Sequence, residues 1–90
     1  MVRRQVEVVN PSGLHARPSS ALVKAAAQFD AEFHIESYGV RVNGKSILGI
    51  MTLAAECGAR LDLITEGPEE EQAMEHIVEQ FACGFNLDET

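Results

Sequence analysis

The sequence predicts an α+β open-faced sandwich, with four strands in one sheet and three helices over one of its faces. Three observations support this. Four short segments alternate apolar and polar residues with the two-residue period of half-buried strands. Three other segments repeat apolar residues at helical spacing. In chain order they read β-α-β-β-α-β-α, and amphipathic strands need a cover that amphipathic helices can supply.

Val6 and Val8 alternate with Gln5 and Glu7, giving the first strand, and Asn10-Pro11-Ser12-Gly13 breaks it with turn formers. Residues 16–28 are alanine-rich, with Leu22, Ala26 and Phe29 at helical spacing. Pro18 fits only in the first turn, where its missing N–H costs nothing, so the helix starts at His15 or Ala16. Phe33 and Ile35 mark the second strand, Tyr38-Gly39 a turn, and Val40 and Val42 a short hairpin partner. Ser46 is placed to N-cap a short helix with Ile47, Ile50, Met51 and Ala54 on one face and Gly58 as its stop. Leu61 and Leu63 point inward from the fourth strand. Gly67-Pro68-Glu69-Glu70-Glu71 opens the last helix with proline and acids in its first turn. Met74, Ile77, Val78 and Phe81 form its stripe, Gly84 ends it, and a polar tail over 86–90 is expected to fray.

Ninety residues form one domain over 1–90. Hydrophobic residues make up 46% and charged ones 23%, which excludes disorder over most of the chain. The net charge of −7 argues against a nucleic-acid binder, which needs a basic footprint for phosphates. The longest apolar stretch, around residues 47–55, is far shorter than the ~20 residues of a membrane helix, so no membrane insertion is expected. Cys57 and Cys83 lack C-x-x-C spacing, which excludes the common zinc and thioredoxin-like motifs. With no secretory signal at the N-terminus, they read as reduced, mostly structural thiols in a soluble, cytoplasmic protein.

Packing accounts for most of the chain, but not for Gly13-Leu14-His15-Ala16-Arg17-Pro18. A helix start carries unpaired N–H groups and partial positive charge, so it attracts anions such as phosphate. The backbone at Ala16 and Arg17 would supply such groups, and the Arg17 guanidinium adds a planar fork of donors suited to phosphate oxygens. The same positive end disfavours imidazolium at His15, and neutral imidazole is a nucleophile. Together these residues could form and stabilise a phosphohistidine. A histidine here can equally be only a cap or a surface residue.

The motif resembles the active-site segment of the HPr family, histidine phosphocarriers of the bacterial phosphoenolpyruvate-dependent phosphotransferase system. Lys45-Ser46-Ile47-Leu48-Gly49-Ile50-Met51-Thr52-Leu53 resembles the family's regulatory-serine segment. The resemblance spans nearly the whole chain and implies an antiparallel four-stranded sheet. It implies that His15 takes a phosphoryl group on Nδ1 from enzyme I, that Arg17 helps hold it, and that an EIIA-type acceptor receives it. It implies a carrier rather than an enzyme, with no cofactor or metal. Ser46 becomes a regulatory phosphorylation site, with HPr kinase/phosphorylase as a possible further partner. The chain also resembles the nitrogen-related paralogue NPr at Phe29-Asp30-Ala31-Glu32 and Gly84-Phe85, so both branches stay open. The family's non-phosphorylatable regulatory relative lacks the histidine present here.

By the same resemblance the short helix lies beside His15. Ile47, Leu48 and Met51 then offer an apolar docking centre, and Ser20, Lys24 and Lys45 extend its rim. A monomer is expected of a carrier that alternates partners. Ser12, Ser19 and Ser20 lie near His15, but no carboxylate is placed to complete a hydrolytic triad. His34 and His76 read as solvated, and Met51 and Met74 as core. Two readings from other classes remain: a regulator acting by direct binding, and a small-molecule-binding domain.

Overall fold

The computed structural model describes residues 1–86. The element order is β1 (Val2–Glu7), α1 (Ala16–Ala27), β2 (Glu32–Ser37), β3 (Val40–Asn43), α2 (Ile47–Thr52), β4 (Arg60–Glu66) and α3 (Glu70–Ala82), followed by a single 3₁₀ turn at Gly84–Asn86. The sheet order is β1-β4-β2-β3, and every pairing is antiparallel. The predicted order and sheet are found, with α1 packed against both α2 and α3.

Register explains which residues enter the core. Leu61, Leu63 and Thr65 of β4 face the helices, aligned with Val6 and Val2 on β1 and with Ile35 and Phe33 on β2. Leu22, Ile50, Met74, Ile77 and Phe81 close over them. The opposite sheet face is open and carries a charged row across all four strands. Asp62 and Glu36 are directly opposed, a repulsive pairing. Arg3 bridges them, donating to Asp62 at 3.1 Å and Glu36 at 3.4 Å, and Arg41 donates to Glu36 from the other side at 3.1 Å. Ile64 also lies on this face but is buried, in register between Arg3 and His34.

Two tight reversals use left-handed backbone. Tyr38 (φ 49°) and Gly39 (φ 80°) turn β2 into β3, as predicted. Gly84 (φ 64°) ends α3, and Phe85 folds back to stack edge-on against Phe81, with ring centroids 4.9 Å apart.

The second helix departs from expectation. It ends at Thr52, not near Gly58, and buries only Ile50. Ala54 takes a left-handed conformation (φ 49°), which no continuing helix allows, and Ile47 and Met51 lie exposed rather than in the core. Met51 is therefore not a core residue, whereas Met74 is. His76 is not simply solvated: its ring lies against Phe29 at 5.6 Å. Cys57 and Cys83 are exposed free thiols rather than packed structural ones. Residues 87–90 of the predicted frayed tail lie outside the described residues.

Candidate functional site

The site is assembled where β1 hands over to α1. The Asn10–Gly13 turn closes with the Gly13 N–H on the Asn10 carbonyl at 2.9 Å, and the Asn10 side chain donates to the Gly84 carbonyl at 2.9 Å. Gly13 is left-handed (φ 71°), and a Cβ there would sit 2.4 Å from the Ala55 carbonyl oxygen. Only glycine allows the two loops to approach this closely. Leu14 is held on three sides. Its side chain is buried, its N–H donates to the Ala55 carbonyl at 2.9 Å, and its carbonyl accepts from the buried Ser19 hydroxyl at 3.4 Å.

His15 follows as the N-cap of α1, with extended backbone and a half-buried side chain. The first helical hydrogen bond runs from the Ser19 N–H to the His15 carbonyl at 3.1 Å. Pro18 has no N–H, so the amides of Ala16 and Arg17 precede the helical ladder. Ala16 and Arg17 are exposed. A half-buried imidazole, a helix start and an exposed guanidinium thus occupy three consecutive positions. This arrangement can receive an anion at the imidazole and spread its charge over amide and guanidinium donors.

The predicted docking residues fall in two groups. Ala16, Ser20 and Lys24 share one face of α1 at i, i+4 spacing, and Lys24 is exposed. Ile47, Leu48 and Met51 are 40%, 78% and 42% exposed on α2, an unusual concentration of uncovered apolar surface on one six-residue helix. Lys45 is tied back to the end of the first helix. It is half-buried, and its ammonium donates to the Phe29 carbonyl at 3.2 Å, just beyond the end of α1 remote from His15. Cations are stabilised there by the helix dipole. Ser46 is the N-cap predicted for α2: its Oγ accepts from the Gly49 N–H at 3.1 Å.

Charge is segregated around these elements. No acid occurs between Glu7 and Asp30, or between Glu36 and Glu56, so the α1 and α2 segments carry only bases. Helix α3 carries Glu70, Glu71, Glu75 and Glu79 and no lysine or arginine. The Arg41 and Arg3 guanidiniums hold the Glu36 carboxyl below its ordinary range. The N-terminal ammonium, followed by the Gly67 N–H, does the same for Glu70.

Sequence reading missed Ala55 and Glu56 as neighbours of the His15 loop. Their contact with Gly13 and Leu14 crosses about forty residues of chain and leaves no local signal. Ser19 is no free nucleophile, since its hydroxyl is buried on the Leu14 carbonyl. Among the described residues no group of three or more His, Cys, Asp or Glu side chains could hold a metal, and no helix is long and apolar enough to cross a membrane. Two open grooves of about 550 and 570 Å³ lie between β1 and α3 and around residues 30–34 and 66–68; His15 and Arg17 line neither.

This fold defines a class: a small α+β open-faced sandwich of four antiparallel strands and three helices. Comparison with known proteins narrows the class. The family model described as "PTS HPr component phosphorylation site" matches residues 2–82. The phosphocarrier protein HPr of Treponema pallidum is 44% identical over 85 residues, covering 94% of this chain and 97% of that protein. The HPr-like protein Crh of Halalkalibacterium halodurans is 47% identical over 78 residues, covering 87% and 93%. A crystal structure of HPr from Thermoanaerobacter tengcongensis superposes with a TM-score of 0.93 at 35% identity, covering 99% of this chain and all of that one. The chain belongs to the HPr family of the phosphotransferase system.

Proposed function

We propose that the protein carries a phosphoryl group on His15, taken from phosphoenolpyruvate-charged enzyme I and passed to an EIIA-type acceptor in sugar uptake and regulation. The observation that carries this is His15 as the N-cap of α1, with the Ala16 and Arg17 amides and the exposed Arg17 guanidinium at the same end. As the Nδ1–phosphorus bond forms, the donor's bond to phosphorus breaks, and onward transfer reverses this exchange. Arg17 and the helix start offset the charge of the phosphoryl oxygens without burying them, so the group stays transferable. The apolar surface of Ile47, Leu48 and Met51, with Ser20 and Lys24 beside it, is where successive partners dock on a cytoplasmic monomer.

The test is incubation with phosphoenolpyruvate and cognate enzyme I, followed by addition of an EIIA. Wild type, His34→Ala and His76→Ala should acquire acid-labile, base-stable phosphate and release it to EIIA. His15→Ala should acquire none, and labelling of that variant would overturn the assignment. Size-exclusion chromatography with light scattering tests the monomer.

A second reading rests on Ser46. As the cap of α2 it adjoins the docking surface, and a phosphate there adds roughly −1.5 to −2 charges. Phosphorylation by an HPr kinase/phosphorylase would then turn the protein into a regulator acting by direct binding. Labelling by that kinase, absent in Ser46→Ala, is its test.

A further inference from the structure

We propose that Ala54 and Ala55 form a strap that positions His15 for phosphoryl transfer, an inference resting on the carrier reading above. Ala54 is one of three non-glycine residues among those described with a left-handed backbone, at φ 49°. Alanine resists this conformation because its Cβ crowds the following carbonyl. Such strain persists only where the surroundings over-determine it, and it concentrates at functional sites.

Bonds on both sides hold Ala54 there. The Leu53 N–H donates to the Ile50 carbonyl and the Ala54 N–H to the Met51 carbonyl, both at 3.1 Å, anchoring the strap to the end of α2. The left-handed step at Ala54 leads into Ala55, whose carbonyl accepts the Leu14 N–H at 2.9 Å. Leu14 immediately precedes His15. The other two holds on Leu14 come from its own segment and from the core. The strap is its only described backbone bond to a distant part of the chain. Gly13 confirms how close the contact is, since any Cβ at that position would displace the strap.

Ala54 is exposed, so it has no packing role of its own. Its strain is comparable in size to the single hydrogen bond it serves, which leaves the clamp finely balanced. Met51, at the exposed docking surface, is one hydrogen bond from the strap. Ala54 and Ala55 are positioning residues: they act on the imidazole only through Leu14.

Full-length Ala54→Val and Ala54→Gly test this, with Ala54→Thr in place of valine if that variant does not fold. A β-branched residue disfavours the left-handed step, whereas glycine adopts it freely. Ala54→Val should lower amide-exchange protection of Leu14 by about fivefold or more, the cost of ~1 kcal/mol at 1.4 kcal/mol per tenfold. It should also shift the His15 ring resonances and lower kcat for transfer from phosphorylated enzyme I, with KM unchanged because the docking residues are intact. Ala54→Gly should keep Leu14 protection and kcat at or above wild-type level and leave the His15 ring resonances in place. A merely structural alanine would change Tm and leave Leu14 protection and kcat alone; that result overturns the strap. Exchange and ring resonances need no partner. If wild type itself accepts no phosphate, the carrier reading fails, whereas a Leu14 amide insensitive to Ala54→Val sinks the strap alone.

Discussion

Replacing Ser46 with alanine isolates the forces that hold α2 in place. The helix has six residues and buries one side chain, Ile50, and its first turn is closed by the Ser46 Oγ on the Gly49 N–H. Burial of Ile50 contributes roughly 1.5–3 kcal/mol, and an N-cap serine about 1 kcal/mol. The cap is therefore a substantial share of what holds so short a helix. Ser46→Ala should lower Tm by roughly 4–8 °C for a domain of this size. It should also raise local opening of α2 about fivefold, since 1.4 kcal/mol is tenfold. Amide exchange at Ile50 reports this directly, because its N–H donates to the Ser46 carbonyl at 3.0 Å. Ser46→Asp keeps an acceptor in place and should melt like wild type. The same pair separates cap from switch. A regulatory serine makes Ser46→Asp slow to accept phosphate from enzyme I although its stability is intact. Normal transfer by Ser46→Asp and by authentically phosphorylated protein would leave the serine as a cap alone. An unchanged melt and unchanged Ile50 exchange in Ser46→Ala would refute the capping energetics.

Arg17→Ala should fold normally, since the side chain is exposed, and transfer 10²- to 10³-fold more slowly if it resembles loss of one oxyanion donor, ~2.7–4 kcal/mol; equal single-turnover rates in both directions would count against an electrostatic role. Leu48→Glu should leave Tm nearly unchanged, because a surface substitution stays within about 0.5 kcal/mol. It should raise KM for enzyme I fivefold or more, as loss of over ~1 kcal/mol at an apolar contact requires; an unchanged KM removes α2 from the interface. Stability should be greatest at intermediate pH. Glu36 and Glu70 titrate below their ordinary 4.5 in the folded protein, so their contribution is complete above 4.5 and is lost as pH falls through the lowered values. The N-terminal amine titrates above its ordinary 8.0 because Glu70 accepts its hydrogen bond, so its contribution is complete below 8.0 and is lost as pH rises through the raised value. Denaturation across pH at low and high salt checks this, and a Glu36→Gln protein with an unchanged acid limb would exclude that pair.

What could be read from the sequence was what local patterns specify. The valines of β1, the Phe33 and Ile35 pair, the leucines of β4 and the stripe of α3 each announce a strand or helix and the face it buries. Tyr38-Gly39 and Ser46 carry their turn and cap chemistry on their surface. The end of α2 was hidden because alanine is a good helix former, and nothing local warns that Ala54 turns left-handed. A contact with Leu14, forty residues away, helps set that conformation. The same distance hid the neighbours of His15. The hydrogen bond of Lys45 was hidden for a related reason: a lysine stem is long, and the carbonyl it reaches at Phe29 belongs to another element. The histidine itself was conspicuous because the turn, the proline and the arginine around it are all consecutive.

The separation of charge among the helices changes what a net charge of −7 means to an approaching protein. Helix α1, with Arg17 and Lys24, lies between the uncharged α2 and the glutamates of α3, so a partner seated on α2 stands about two interhelical spacings from those glutamates, ~16–20 Å. At physiological ionic strength fields decay over about 8 Å. An acidic partner arriving at α2 then meets Arg17 and Lys24 and scarcely senses α3. In dilute buffer, with a screening length near 30 Å at 0.01 M, it is repelled by the whole molecule. Moderate salt should therefore quicken encounter with such a partner before higher salt slows it, giving a maximum where an ordinary attractive pair would only decline. The cell's own salt thus becomes part of how this carrier is pointed.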